Sequence, residues 1–338
     1  MKIGIIGANG NVGTELCILL QNDCDVIPIV RNKIASAFLE YHGINCRLGD
    51  VANDESAKTL LDDLDIIVNA TWVADRFSGS QNQTSKEINK KLIENCFKFS
   101  KKSATIVYLS TIRAFGNKVD PVTSKYFPPR YDVEKKFLDK IVQKSAKKFN
   151  KKGISFRCGH VFGNGQPNTI VLKKLLSQNK SYSLPVNPDN ASNILHIVTL
   201  KDAIFKCIDK KIKSNTYSLV NNPQWSWKEV FDFYNSNSTL MFSIPQQKQT
   251  SINQKIFKLF KGKRKFMLPI LYRVPKKYEP KIIKELSIRK YSSEISKINS
   301  YEQITNGNFS YVPIPGIQLP NLEKTKDSLK NYDGSVFL

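Results

Sequence analysis

Residues 2–6, Lys-Ile-Gly-Ile-Ile, form a short apolar run that passes directly into Gly7-Ala-Asn9-Gly10-Asn11-Val12-Gly13. This junction restricts the fold more than any other part of the chain. Glycines three apart suit a tight turn from a strand into a helix. Gly7 permits the bend, Gly10 lets a ligand approach the backbone, and Gly13 lets helix and strand pack closely. The free N–H groups at the start of such a helix attract phosphate. The spacing is G-x-x-G-x-x-G rather than the commoner G-x-G-x-x-G. Its place behind an apolar strand predicts a dinucleotide site in which Gly7, Asn9, Gly10, Asn11, Val12 and Gly13 hold the pyrophosphate.

The segments that follow keep the same rhythm. Short apolar runs at 25–30, 45–48, 66–69, 104–109 and 155–157 alternate with amphipathic stretches that begin near Asn11 and occupy 54–64, 84–99 and 132–147. This alternation predicts an α/β fold: a doubly wound, Rossmann-type parallel sheet with ligands at the carboxyl ends of its strands. After Gly163 the pattern breaks down, but 192–209 returns to strand then helix, and 216–220 is a further strand. Trp225-Ser-Trp-Lys-Glu starts another helix with Ser226 as its N-cap. Residues 1–163, with 192–220 returning, are assigned to the dinucleotide-binding domain. Residues 164–191 and 221–338 are assigned to a smaller C-terminal substrate-binding lobe.

The chain carries 52 Lys and Arg against 29 Asp and Glu, a formal net charge of +23, which favours anionic partners. The stretch 255–290 holds thirteen basic residues and only Glu279 and Glu285, with Phe257, Leu259, Phe260 and Phe266 among them. A solvated face of the substrate lobe is the default reading of that stretch. Weak contact with an anionic membrane is the alternative, and nucleic acid is not expected. Pro269 and Pro275 argue against one long surface helix. No run approaches the ~20 apolar residues of a membrane span. Glycines interrupt the apolar run near the N-terminus, so no signal peptide is read there and a cytoplasmic location is expected. Six cysteines without a C-x-x-C pair, and only three histidines, give no pattern for a metal site or a disulfide framework. His42 and His196 are read as packed or exposed residues, and Trp225 and Trp227 as packing.

Tyr131-Asp-Val-Glu-Lys135 opens what counts as the fourth helix, downstream of a strand that ends Tyr108-Leu-Ser110-Thr111. Tyr131 and Lys135 are four apart and share a helix face. A neighbouring ammonium favours the phenolate and brings the tyrosine toward working pH. Tyr131 is thus a candidate proton-transfer group, with the Thr111 hydroxyl beside it.

With these residues in view, the chain up to about residue 235 resembles the extended short-chain dehydrogenase/reductase family of sugar-nucleotide epimerases, dehydratases and reductases. Gly7, Gly10 and Gly13 match that family's pyrophosphate turn. Asp50-Val51 matches its adenine-contacting pair, and Asn69-Ala70-Thr71 falls where its fourth strand passes the cofactor. Thr111, Tyr131 and Lys135 match its catalytic Ser/Thr, Tyr and Lys, with Tyr131 and Lys135 also touching the cofactor. Arg157-Cys-Gly-His160-Val-Phe-Gly163-Asn-Gly165 is similar to its R-P-x-N-x-Y-G-x-G segment. Leu195-His196-Ile-Val-Thr-Leu-Lys-Asp-Ala-Ile204 is similar to its I-H-V-D-D-L-A-x-A-I segment. The resemblance implies NAD(P)-dependent chemistry on an alcohol or ketone, with a nucleotide sugar as substrate and a homodimer as a possible assembly. Reduction of a non-sugar carbonyl, or a cofactor-binding regulatory or scaffold role, is the alternative.

The departures narrow the reaction. Ser110-Thr111-Ile112-Arg113-Ala-Phe-Gly116 aligns with the S-T-D-E-V-Y-G of 4,6-dehydratases. Ile112 cannot donate a proton and Arg113 is a poor acid, which disfavours water elimination and leaves epimerase or reductase chemistry. Arg113 and His160 are candidates for the substrate diphosphate. Arg31 follows the second strand where NAD-binding proteins carry an acid for the ribose hydroxyls. With Lys33 close by, it suits the 2′-phosphate of NADP, so NADP is preferred over NAD.

Overall fold

The strand–helix alternation closes into one seven-stranded parallel sheet in a computed structural model, which describes residues 1–73, 84–115, 130–177, 181–184, 188–189, 192–208, 212–221, 225–235 and 238–242. The strands are β1 (Lys2–Ile6), β2 (Asp25–Val30), β3 (Arg47–Leu48), β4 (Ile66–Asn69), β5 (Thr105–Thr111), β6 (Lys152–Cys158) and β10 (Asn215–Leu219). Their spatial order is β10-β6-β5-β4-β1-β2-β3. The chain therefore winds one way from β1 to β3 and the other way from β4 onward. The reversal between β1 and β4 is where such a sheet opens a crevice beyond its strand ends.

Helices cover both faces: α1 (Asn11–Leu20), α2 (Lys33–Tyr41), α3 (Asp54–Leu61), α4 (Ser85–Phe99), α5 (Arg130–Phe149) and α7 (Ile197–Lys206), while α6 (Pro167–Leu176) follows Gln166 in the chain. A strand buried on both faces sends alternate side chains to opposite sides. Ile3, Ile5, Val68 and Val107 join Leu16, Leu200 and Ile204 of α1 and α7 in one apolar cluster. Ile6, Ile67, Ile106 and Tyr108 join Leu60, Phe97 and Val142 of α3, α4 and α5 in the other. Helices α1, α2, α3, α4, α5 and α7 stay in place because each turns an apolar stripe to one of these clusters.

Some elements differ from the sequence reading. Helix α2 is additional, capped by Asn32, whose side chain accepts from the Ala35 N–H at 2.9 Å. The Tyr131 helix is consequently the fifth, and it starts two residues before Asp132. β5 runs on to Thr111, because the polar Ser110 and Thr111 remain paired with Arg157 and Cys158 of β6. β3 shrinks to two residues at the sheet edge.

The described residues fall into two compact units. Met1–Leu172 and Ala191–Trp225 form the first; Lys173–Asn190 and the described residues from Ser226 onward form the second. In the first, β7 (His160–Phe162) pairs in parallel with β9 (Ile194–His196). In the second, β8 (Ser181–Leu184) pairs in parallel with β11 (Thr239–Phe242). The second unit also holds α8 (Trp227–Tyr234), whose N-terminus is a capping box between Ser226 and Glu229. Trp225 and Trp227 are buried, as is His196, while His42 is half-buried. Among the described residues no helix is long and apolar enough to cross a membrane, and no group of three His, Cys, Asp or Glu is placed to hold a metal. The basic stretch 255–290 lies outside the described residues.

Candidate active site

Ile6, Asn69 and Tyr108 stand side by side across β1, β4 and β5. The residues that follow them therefore emerge at one edge of the sheet. At that edge Gly7 takes φ +79°, and the Gly10 N–H donates to the Gly7 carbonyl at 2.9 Å, closing the turn. A Cβ on Gly13 would stand 2.3 Å from the Gly7 oxygen and 2.9 Å from Ala8 Cα, so α1 lies directly against the turn. A Cβ on Gly10 would meet only the Gly7 oxygen, at 3.2 Å, leaving its outer side open. Helix α1 starts with Gly10 as N-cap, without a side-chain cap and without an acid in its first turn. Asn9, Gly10 and Asn11 are exposed and Val12 half-buried. An uncapped helix start with open backbone suits an anion.

A cavity of about 270 Å³ extends from this turn. Gly7, Asn9 and Gly10 line its middle, Arg31, Asp50 and Val51 one side, and Ala70, Thr71 and Trp72 another. Arg31 is exposed at the end of β2. Asp50 is exposed and accepts from the Ala52 N–H at 2.8 Å, whereas Val51 is buried. Asn69 is buried; its Oδ1 accepts from the Thr71 N–H at 3.0 Å and from Thr71 Oγ1 at 2.6 Å, which shapes the backbone beyond β4. The Ala70 N–H donates to Ile6 O at 3.0 Å. Open glycines, a free helix start and a cavity over the switch point together suit a dinucleotide.

Thr111 ends β5 and is buried at the same edge. Tyr131 lies at the start of α5 and is half-buried. Lys135, one turn later, is buried and donates from Nζ to the Leu109 carbonyl at 2.8 Å. Its ammonium is 4.6 Å from the Tyr108 ring centroid and 5.8 Å from that of Tyr131. Burial lowers the Lys135 pKa to about 8, opposed by Asp139, Cys158 and Glu134. Asp139 lies one further turn along α5, and its Oδ2 accepts from Arg157 Nε at 2.9 Å. Burial raises the Asp139 pKa, with Arg157 acting in the opposite direction.

The remaining sequence candidates are placed differently. His160 is buried on β7, with its backbone N–H donating to Asn193 O at 3.0 Å. Arg113 belongs to a short 3-10 helix, Ile112–Phe115, directly after Thr111; its side chain lies outside the described residues. The Gly163–Gly165 segment is held to α1 through Gln166, whose Nε2 donates to Glu15 Oε2 at 2.6 Å and to Asn11 O at 3.1 Å.

The profile of the NAD dependent epimerase/dehydratase family matches residues 3–186, more than half of the chain. The chain belongs to this family. No curated protein matches it. Solved structures similar to this family member include the UDP-N-acetylglucosamine 4-epimerase from Bacillus cereus, 18% identical, covering 73% of this chain and 87% of that one with a TM-score of 0.53. The dTDP-glucose 4,6-dehydratase from Bacillus anthracis, in complex with NAD, is 18% identical over 77% of this chain and 90% of that one, TM-score 0.52. The ADP-L-glycero-D-manno-heptose-6-epimerase of Helicobacter pylori is 18% identical over 72% and 85%, TM-score 0.52. At such identities the likeness is one of fold, and it agrees with the Rossmann-type sheet.

Several residues around the site escaped the sequence reading. Trp72 lines the cavity and meets the Tyr131 ring edge-on, with centroids 4.7 Å apart. Glu134 and Asn89 are buried and joined at 2.6 Å. Trp72 is adjacent to the Asn69-Ala70-Thr71 stretch, so an aromatic there was a visible signal. Asn89 and Glu134 are 45 positions apart and carried none.

Proposed function

We propose that this family member moves a hydride between a nicotinamide cofactor and the alcohol or ketone carbon of a nucleotide-activated sugar, as an epimerase or a carbonyl reductase. Thr111, Tyr131 and Lys135 are its catalytic residues in this reading. The observation that carries it is the seat of Lys135, buried one turn after Tyr131 with Nζ on the carbonyl two residues before Thr111. A buried ammonium favours the phenolate of a neighbouring tyrosine. Tyr131 then takes or returns the substrate hydroxyl proton, and Thr111 hydrogen-bonds the same oxygen. When bound, the nicotinamide supplies the hydride acceptor or donor. The chain supplies orientation, the proton and electrostatic stabilisation.

Gly7, Gly10, Gly13 and the first N–H groups of α1 hold the pyrophosphate in this proposal, and Asp50 and Val51 face the adenine. Arg31, exposed beside the cavity, favours NADP over NAD. Arg113 and His160 serve the substrate diphosphate, and the second unit forms the substrate lobe. Ile112, buried where a 4,6-dehydratase carries an acid, supports epimerase or reductase chemistry over water elimination.

The test is a mass-spectrometric screen of UDP-, GDP-, dTDP- and CDP-sugars with NAD(H) and NADP(H), run on wild type and Tyr131→Phe. Conversion of a nucleotide sugar by wild type alone, with cofactor affinity unchanged in the variant, is expected. Turnover by Tyr131→Phe at the wild-type rate would remove the tyrosine from the mechanism.

A further inference from the structure

Trp72 stands out among the three tryptophans of the chain. Trp225 and Trp227 are 0% and 1% exposed, whereas Trp72 is 38% exposed and borders the cavity that begins at the glycine turn. Core packing therefore accounts for the first two but not for Trp72. Its ring meets Tyr131 at a centroid distance of 4.7 Å and an interplanar angle of 86°, the edge-to-face geometry that aromatic quadrupoles favour.

The backbone on both sides of Trp72 is fixed. Before it, Thr71 is tied to Asn69 Oδ1 through both its N–H and its hydroxyl. After it, the Val73 N–H donates to Asn89 Oδ1 at 2.9 Å, and Asn89 Nδ2 donates to the Val73 carbonyl, also at 2.9 Å. The same Nδ2 donates to Glu134 Oε1 at 2.6 Å. Glu134 immediately precedes Lys135 on α5. The segment leaving β4 is thus joined to the helix that carries Tyr131 and Lys135 twice, through the chain Val73–Asn89–Glu134 and through the two rings.

We propose that Trp72 is a positioning residue: its indole, anchored through Val73 and Asn89, sets the orientation of the Tyr131 ring and makes that ring sensitive to occupancy of the nucleotide cavity. Tyr131 lies at the start of α5, where the first helical turn leaves its backbone less constrained than the interior. A flat partner held from β4 restricts its rotamers in a way the helix alone does not. This inference rests on the reading of the cavity as a cofactor site.

The test uses the full chain and NADH as the probe. Calorimetry measures binding, tryptophan fluorescence reports the indole, and ring-labelled tyrosine NMR reports Tyr131, whose resonance is assigned by its loss in Tyr131→Phe. In wild type, NADH should quench tryptophan emission and shift the Tyr131 resonance. Trp72→Phe should lose the share of the quench that comes from Trp72, leaving only that of Trp225 and Trp227, yet keep the Tyr131 shift, because a phenyl edge still packs on the phenol. Trp72→Ala should bind NADH with Tyr131 returned toward the solvent position. Binding with wild-type quench in Trp72→Phe, or an unmoved Tyr131 resonance in Trp72→Ala, overturns the inference alone. If wild type binds NADPH and not NADH, the same readouts are taken with NADPH; absence of binding of either cofactor to wild type overturns the cofactor reading and the inference with it.

Discussion

The glycine turn allows folding and ligand binding to be separated by two single methyl groups. In Gly13→Ala the new Cβ would sit 2.3 Å from the Gly7 oxygen and 2.9 Å from Ala8 Cα. Both are backbone atoms of a strand-end turn and cannot swing aside, so α1 must move away from β1. Alanine gains about 1 kcal/mol of helix propensity over glycine, while overpacking of a tight site costs roughly 1–3 kcal/mol. Contact with backbone places this clash at the upper end, for a net loss of about 1–2 kcal/mol. For a unit of this size that lowers Tm by roughly 2–8 °C. Gly10→Ala differs. Gly10 has φ −83° and ψ 160°, open to any residue, and its Cβ meets only the Gly7 oxygen at 3.2 Å. Its folding cost should stay under about 1 kcal/mol, the scale of an N-cap change. Its methyl would stand where a pyrophosphate meets the turn, displacing hydrogen bonds to a charged group of about 1.5–3 kcal/mol each, so affinity should fall at least about tenfold. Thermal melts and NADH and NADPH calorimetry on both variants read the two effects separately. Wild-type affinity in Gly10→Ala would refute the pyrophosphate placement, and an unchanged Tm in Gly13→Ala would refute the packing argument.

Arg31→Asp should weaken NADPH more than NADH by roughly 1–3 kcal/mol, the scale of a lost charge-assisted pair; equal losses in calorimetry would show that Arg31 does not read the phosphate. Lys135→Met should lower both turnover and cofactor affinity. The same variant tests a pH effect: Lys135 titrates near 8 when folded against an ordinary 10.5. The unfolded chain binds that proton more tightly, so this group makes stability rise as pH climbs from 8 to 10.5. Urea titrations across that window should show the slope reduced in Lys135→Met, by up to about 1.4 kcal/mol per pH unit. His196 acts in the same sense on the acid side of neutrality, because burial lowers it from 6.5 to about 3. Its contribution to stability is lost as pH falls from 6.5 to 3, so His196→Asn should show a shallower acid limb, and an identical limb would show that His196 is not buried neutral.

The parts of this molecule that were legible in its sequence are those governed by neighbours along the chain. β1, β2 and β4 fall at the residues read from their apolar runs, and Ser226 caps α8 as read, in a box with Glu229. Helix α2 was missed although Asn32 with Ala35, Phe38 and Leu39 carried a cap and a helical stripe. The apolar run stops at Leu109, and pairing with β6 carries the strand through the polar Ser110 and Thr111. At the site, Tyr131 and Lys135 were visible as a spaced pair. The attachment of Lys135 to Leu109, the Asp139–Arg157 ion pair and the Asn89–Glu134 contact join positions 18 to 45 apart. Such partners depend on how the elements stack, which no local pattern contains.

The discontinuity of the first unit bears on how it can be made. When a growing chain has emerged as far as Cys158, six of the seven strands are available, but β6 still presents an unpaired edge. The face later covered by Leu200 and Ile204 of α7 is also bare. The face waits for Lys206 and the edge for Leu219, both after the second unit's first stretch, Lys173–Asn190, has been made. An open strand edge beside uncovered apolar surface is a template for misassociation, and closing it over so long an intervening segment is slow. A fragment cut at Leu172 would hold every residue of the glycine turn and of the Tyr131–Lys135 pair and still lack the means to stay soluble. Chaperone protection during that interval, rather than any weakness of the finished sheet, would then set the yield of the protein in a cell.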